Sequence, residues 1–190
     1  MKEDEVMSRP THVLKHEHRV IERALRALDG MCIHLKSGGN VQPEALCQIL
    51  DFIQNFADRF HHAREETYLF PALGNNGFQK EGGALGFFMG EHETERMLTA
   101  ELELAIGEYR HGDPAAVDRF VEAANLYRDH MVGHMREEDT ILFRLAEEVL
   151  DETVKASLTQ SFAQEEAQSS EGMVARYERL AQELEKNWAV

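Results

Sequence analysis

Apolar residues recur at alternating steps of three and four along most of this chain, with almost none of the period-two alternation of a half-buried strand. The pattern breaks at Ser37-Gly38-Gly39-Asn40, from Gly74-Asn75-Asn76-Gly77 through Gly82-Gly83, and at Gly112-Asp113-Pro114. Between the breaks the spacing predicts four long helices, over roughly 11–37, 43–73, 84–111 and 114–150. Thr11 is placed as N-cap of the first, and Asp113-Pro114 as cap and first-turn pair of the fourth. Short connections between long helices imply antiparallel neighbours. The fold class expected is all-α: an up-down-up-down four-helix bundle over 1–150, with a C-terminal helical extension over 151–190.

Within the extension, Val154, Leu158 and Phe162 are separated from Met173, Tyr177, Leu180 and Leu184 by the polar break Ser169-Ser170-Glu171-Gly172. This segment is expected to fold back on the bundle or to pack on a partner chain, which makes a homodimer through it one expectation.

The core-facing stripes carry unexpected residues. Helix 1 reads Leu14, His18, Ile21, Leu25, Leu28, Cys32, Leu35. Helix 2 is less regular: Ile49, Phe52, Phe56, Arg59, Ala63, Glu66, Phe70, Leu73, with His62 flanking Glu66 one turn earlier. Helix 3 places His92 and Glu95 on its stripe, and helix 4 places His134 and Glu138 there, followed by Ile141 and Leu145. His62/Glu66 and His134/Glu138 are i,i+4 pairs, which lie on one helix face about 6 Å apart. His18 and His92 fall near helix starts, and the two pairs near helix ends. In an antiparallel bundle those are all the same end, so six polar groups are expected in one layer.

An unpaired buried carboxylate costs several kcal/mol or neutralises, and a metal ion removes that cost. The candidate ligands are His18, His62, Glu66, His92, His134 and Glu138. Imidazole plus carboxylate suits iron, manganese or zinc. The set is too large for one tetrahedral ion and suits two ions bridged by the two Glu. Two iron ions per chain are expected, because iron couples this ligand set to oxygen chemistry; manganese would also suit it, and zinc would satisfy the geometry without redox chemistry. Open positions would take water, O2, NO or peroxide. His61, paired with Glu65 at i,i+4, is read as a surface group; His130 and Asp139 are further candidates for ligation; Glu17, Glu65, Glu93 and Glu137 could orient imidazoles.

Composition narrows the partners. The chain has 190 residues, enough for one domain or one domain with an appendage. Lys and Arg number 20 against 35 Asp and Glu, a formal net charge of −15. That balance argues against nucleic acid and against anionic membrane surfaces as partners. No apolar run approaches the ~20 residues of a membrane span. The segment Met1 to Pro10 is acidic and polar, so no signal peptide is expected. Two cysteines, Cys32 and Cys47, make no disulfide scaffold, and a cytoplasmic location is expected. There is no HExxH, GxSxG, P-loop or GxGxxG, and the one Glu-x-x-His, Glu108 to His111, lies at the far end of the bundle.

Four segments resemble the hemerythrin-like, HHE cation-binding domain family over about residues 11–150. They are Glu17-His18-Arg19, His61-His62-Ala63-Arg64-Glu65-Glu66 followed by Leu69-Phe70-Pro71, Glu91-His92-Glu93, and His134-Met135-Arg136-Glu137-Glu138-Asp139 followed by Leu142-Phe143. The resemblance implies a four-helix bundle around a non-haem diiron centre and carries over the same six ligands. One departure stands out: oxygen-carrying members have HxxxH in the third helix, whereas Arg96 follows His92 by four. The four-His, two-Glu set is instead similar to the bacterial iron–sulfur-centre repair proteins, whose N-terminal cysteine-bearing segment has no counterpart here. The functional expectation is binding or sensing of O2, NO or peroxide. The alternatives are a diiron enzyme reducing peroxide or NO, and iron storage or delivery for repair of iron centres.

Overall fold

The computed structural model describes residues 9–79, 82–113, 115–169 and 172–190. Among them the chain is all-α, with no strand. The first helix, α1, spans Pro10–Lys36. It starts one residue before the expected Thr11 cap: Arg9 is the N-cap and Pro10 takes the first turn, where its missing N–H leaves no donor orphaned. Thr11 instead turns its hydroxyl to Glu147. Gly38, at φ +84°, follows the end of the helix, in a conformation that favours glycine.

The second bundle helix is composite. It runs through α2 (Pro43–Phe52), two π-helical segments (Ile53–His62 and Glu65–Leu69) and α3 (Phe70–Asn75). The third is α4 (Ala84–Arg110). The fourth runs through α5 (Ala116–Glu137), a π-helical segment Glu138–Leu142, and α6 (Phe143–Val149). Pro114, half of the expected cap pair of the fourth helix, lies outside the described residues.

The π segments explain why the second stripe looked irregular. A π turn closes i→i+5 bonds, so each one delays the inward phase relative to an α-helix. After Phe56 the buried positions are Ala57, Phe60, His61, His62, Arg64, Glu65, Leu69, Phe70 and Leu73, while Arg59 is exposed and Ala63 and Glu66 are half-buried. The same delay follows Glu138: Leu142, Phe143 and Ala146 are buried, and Ile141, expected inside, is 52% exposed.

Two apolar clusters fill the bundle. The smaller joins Leu14 of α1, Leu69 to Leu73, Leu85 and Phe88 of α4, and Leu142 to Leu150. It thus gathers the start of the first and third helices and the end of the second and fourth, as an antiparallel bundle requires. The larger cluster runs from Val20 and Phe60 to the opposite end. Along their helices Glu17, His18, His61, His62, Glu65, His92, Glu95 and Glu138 lie between these two clusters in sequence, and His134 lies one residue before Met135, where the larger cluster ends on its helix.

The extension folds onto the same bundle as α7 (Glu152–Gln168) and α8 (Met173–Trp188). Asp151 caps α7 by accepting from the Val154 N–H at 2.8 Å. Of the polar break, Ser170 and Glu171 lie outside the described residues. Leu158 and Phe162 join the smaller cluster, and Tyr177, Ala181 and Leu184 join the larger. The apolar face of the extension is therefore covered by its own chain. No helix among the described residues is long and apolar enough to cross a membrane.

Candidate metal centre

Five histidines, one or two from each bundle helix, converge between the apolar clusters: His18, His61, His62, His92 and His134, each at most 1% exposed. Their rings stack or meet edge-on at centroid distances of 4.7 Å (His18–His61), 4.1 Å (His62–His92) and 4.9 Å (His92–His134).

The two nitrogens of these rings face different company. On the outside, His18 Nδ1 donates to Asp139 at 3.0 Å, His61 Nδ1 to Glu17 at 2.7 Å and His92 Nδ1 to Glu66 at 2.8 Å. His62 Nδ1 faces Asp58 at 3.9 Å, and His134 Nδ1 faces Glu91 at 3.8 Å. On the inside, the five Nε2 atoms meet three further carboxylates. His18 and His134 Nε2 lie 3.2 and 3.3 Å from Glu138 Oε2. His61 and His92 Nε2 lie 3.8 and 3.5 Å from Glu65 Oε2. His62 Nε2 lies 3.2 Å from Glu95 Oε2. An imidazole backed at Nδ1 by a carboxylate has its tautomer fixed and presents a lone pair at Nε2, the arrangement of a metal-ligating histidine.

His18 and His61 bring their Nε2 atoms within 3.0 Å of each other, and most of the other inner atoms have no partner at all. Both oxygens of Glu65, Glu95 and Glu138 lack a hydrogen bond, as do Nε2 of His62, His92 and His134. Buried groups of this kind are rarely left unpaired. Grouped by mutual distance, the donors fall into sets that a cation could bridge: His18, His61, Glu65 and Glu138; His62, His92 and His134; and Glu65, His92, His134 and Glu138. Glu65 and Glu138 are common to the first and third sets.

The electrostatics reflect this crowding. Burial and neighbouring imidazoles hold His62 well below its usual value. Burial likewise lowers His134, to about 3, against the pull of Glu138. Burial also lowers His18, but the hydrogen bonds to Asp139 and Glu138 outweigh it and raise the ring to about 9. Burial pushes the Glu65 carboxyl up, aided by Glu138, while the surrounding histidines hold Glu138 well down despite its burial.

Of the six ligands expected from sequence, the structure brings together His18, His62, His92, His134 and Glu138. It places Glu66 elsewhere: half-buried, outside the inner carboxylates, bound to His92 Nδ1 and to Arg96 at 2.6 Å. His61, expected at the surface, and Glu65, expected to point away from the stripe of Glu66, are both fully buried inside the cluster. The π segments account for this, because they bring His61 inward beside His62 and turn Glu65 inward in place of Glu66. The signal available was the i,i+4 pair His61/Glu65, which has the same spacing as His134/Glu138. Of the further candidates, Asp139 and Glu17 back imidazoles, His130 is half-buried near Glu91 and Glu95, and Glu93 is exposed.

A helical bundle that turns five imidazole Nε2 atoms toward buried carboxylates, with three of the rings hydrogen-bonded to carboxylates from outside, defines a cation-binding bundle. Residues 9–146 match the hemerythrin HHE cation-binding domain. The chain belongs to that family. It is also 25% identical over 164 residues to uncharacterised proteins of Mycobacterium bovis and Mycobacterium tuberculosis, a match covering 86% of this chain and 64% of each relative. The chain thus spans a little under two thirds of the length of the curated relatives it matches. No solved structure matches it.

Proposed function

We propose that this protein holds a pair of iron ions at the centre and binds or senses O2, NO or peroxide there. The observation that carries this reading is the sharing of Glu65 and Glu138 between two donor sets that otherwise use different histidines. His18 and His61 would hold one ion, and His62, His92 and His134 the other, with the two glutamates between them. Imidazole and carboxylate in this number exceed the tetrahedral demand of zinc and suit metals of higher coordination. Iron bound there supplies a redox couple and a Lewis-acidic position for a small ligand. The chain's own contribution is to turn five Nε2 atoms inward, exclude bulk water with the apolar clusters on either side, and hold the outer protons of His18, His61 and His92 at Nδ1. His18 and Phe143 stack at 5.3 Å, and Phe70 and His92 at 5.6 Å, so the smaller cluster closes directly over the rings.

The test is metal content per chain, with optical spectra before and after reduction and with each gas or peroxide added. About two irons per chain with a ferric spectrum that bleaches on reduction and shifts with an added ligand is the expected result. A single zinc, no metal, or an iron spectrum that none of the three ligands alters would overturn it.

A further inference from the structure

The inner carboxylates are more numerous than two bridges require. Glu95, on α4 one turn after His92, is 2% exposed, and neither of its oxygens has a hydrogen-bond partner. Its Oε2 lies 3.2 Å from His62 Nε2, the nitrogen that faces inward. The sorting that separates inner from outer carboxylates is unambiguous here. Asp58, Glu17, Glu66, Glu91 and Asp139 face Nδ1 atoms, whereas Glu65, Glu138 and Glu95 face Nε2 atoms. The neighbouring His130 does not account for Glu95, since its Nε2 stands 3.8 Å from Oε1, beyond hydrogen-bond reach.

We propose that Glu95 is a third carboxylate ligand, terminal to the cation held by His62, His92 and His134. The proposal rests on the two-cation reading above and makes that centre asymmetric. With Glu65 and Glu138 shared, one cation then has six protein donors: His62, His92, His134, Glu65, Glu138 and Glu95. The other has four: His18, His61, Glu65 and Glu138. A six-coordinate ion in the first position is closed by protein alone. Exchangeable coordination, and with it any small ligand, belongs to the His18–His61 side. Glu95 also supplies negative charge from the third helix, where Arg96 occupies the position four residues after His92 and is turned away to Asp58 and Glu66.

Anaerobic titration of the metal-free full chain with Co(II) tests this, because Co(II) absorption reports coordination number and each equivalent can be followed separately. The wild type is expected to take two equivalents. E95Q is expected to bind one equivalent unchanged and the other on the order of tenfold or more weakly, with a spectral change confined to the equivalent that occupies the six-donor position. E95D, which keeps the charge but withdraws it by one methylene, is expected to weaken the same equivalent. The metal-free E95Q protein is expected to unfold at the same temperature as metal-free wild type or above it, since an amide is easier to bury than an unpaired carboxyl. E95Q and E95D binding both equivalents with wild-type affinity and spectrum would overturn the role of Glu95 and leave the two-cation centre standing. So would a metal-free E95Q protein that unfolds early while its cobalt spectrum is unaltered. A wild type that takes no cobalt would overturn the proposed function itself, and Glu95's role with it.

Discussion

Glu17 holds two groups at once: its Oε2 accepts from His61 Nδ1 at 2.7 Å, and its Oε1 takes the guanidinium of Arg64. Arg64 is 1% exposed and continues to Glu165 of α7 at 2.7 Å and to the Phe162 carbonyl at 3.1 Å. Its guanidinium lies 3.8 Å above the Phe60 ring. Helix α7 therefore reaches the metal centre in three links, Glu165 to Arg64 to Glu17 to His61. Glu17→Gln keeps an acceptor beside His61 but removes the charge that strengthens the ligand. Cation affinity is expected to fall about 10–100-fold, with helicity unchanged, measured by competition against a calibrated chelator.

Arg64 makes a separate prediction about stability. Arg64→Met removes the buried cation and leaves Glu17 with an uncompensated charge at 3% exposure. The expected loss is about 3–5 kcal/mol in the metal-free protein, read by urea unfolding. The double variant Arg64→Met, Glu17→Leu removes both charges and is expected to recover most of that loss. A double variant no more stable than the single one would mean that packing of the long side chain, not its charge, fixes α7.

Glu65 and Glu66 are neighbours in sequence and opposites in structure. Glu65 is fully buried between two imidazole groups, and Glu66 sits at the rim between His92 Nδ1 and Arg96. Glu65→Gln is expected to abolish retention of a cation pair through gel filtration. Glu66→Gln is expected to retain both ions, with affinity lowered about 10–100-fold. Metal analysis of the two variants side by side checks the assignment, and the reverse ranking would restore Glu66 as the inner carboxylate.

That pair also shows where sequence reading succeeds and where it stops. The α1 stripe from Leu14 to Leu35 is buried at each position that a regular 3.6-residue period selects. His18, His92, His134 and Glu138 fall where they were expected because the helix up to each of them is α-helical. The period fails at Ile53–His62, Glu65–Leu69 and Glu138–Leu142, where i→i+5 bonding shifts the inward face by about one residue. Nothing in residue composition announces a π turn, so His61 and Glu65 were read outward and Ile141 inward. The extension was legible as helix, and folding back on the bundle was one of its two expected placements; the sequence left the choice open because an amphipathic face does not specify whose core it completes.

Gly30 and Trp188 show how tightly α8 is seated. A Cβ built on Gly30 would stand 1.7 Å from the Trp188 carbonyl oxygen, a main-chain atom that cannot swing away. Nearby, Arg26 pairs with Glu185 at 2.7 Å. Gly30→Ala gains about 1 kcal/mol of helix propensity, yet the clash must push the end of α8 off α1, at a cost of about 1–3 kcal/mol. Limited proteolysis is expected to release the C-terminal turn of α8 faster from this variant, with cation content unchanged. Unaltered proteolysis would show that the helix end is already loose in solution.

Glu147 gives the fold an acid-sensitive tie. It joins the start of α1 to the end of the bundle and to α7, accepting from Arg9 at 2.5 Å and from the Thr11 hydroxyl and pairing with Lys155 at 3.3 Å. Burial pushes its carboxyl up, but those three hydrogen-bonded partners outweigh it and hold the carboxyl below the ordinary value of 4.5. A carboxylate whose folded value lies below its unfolded one binds fewer protons in the native state. Its stabilisation is therefore complete above the unfolded value and is lost as pH falls through the folded one. Thermal unfolding of the metal-free protein is expected to drop as pH goes from about 5 toward 3. Glu147→Gln is expected to unfold earlier than wild type at neutral pH, and the difference between them is expected to shrink as the wild-type carboxylate protonates. A difference that stays constant from neutral pH to pH 3 would place the acid-sensitive contact elsewhere.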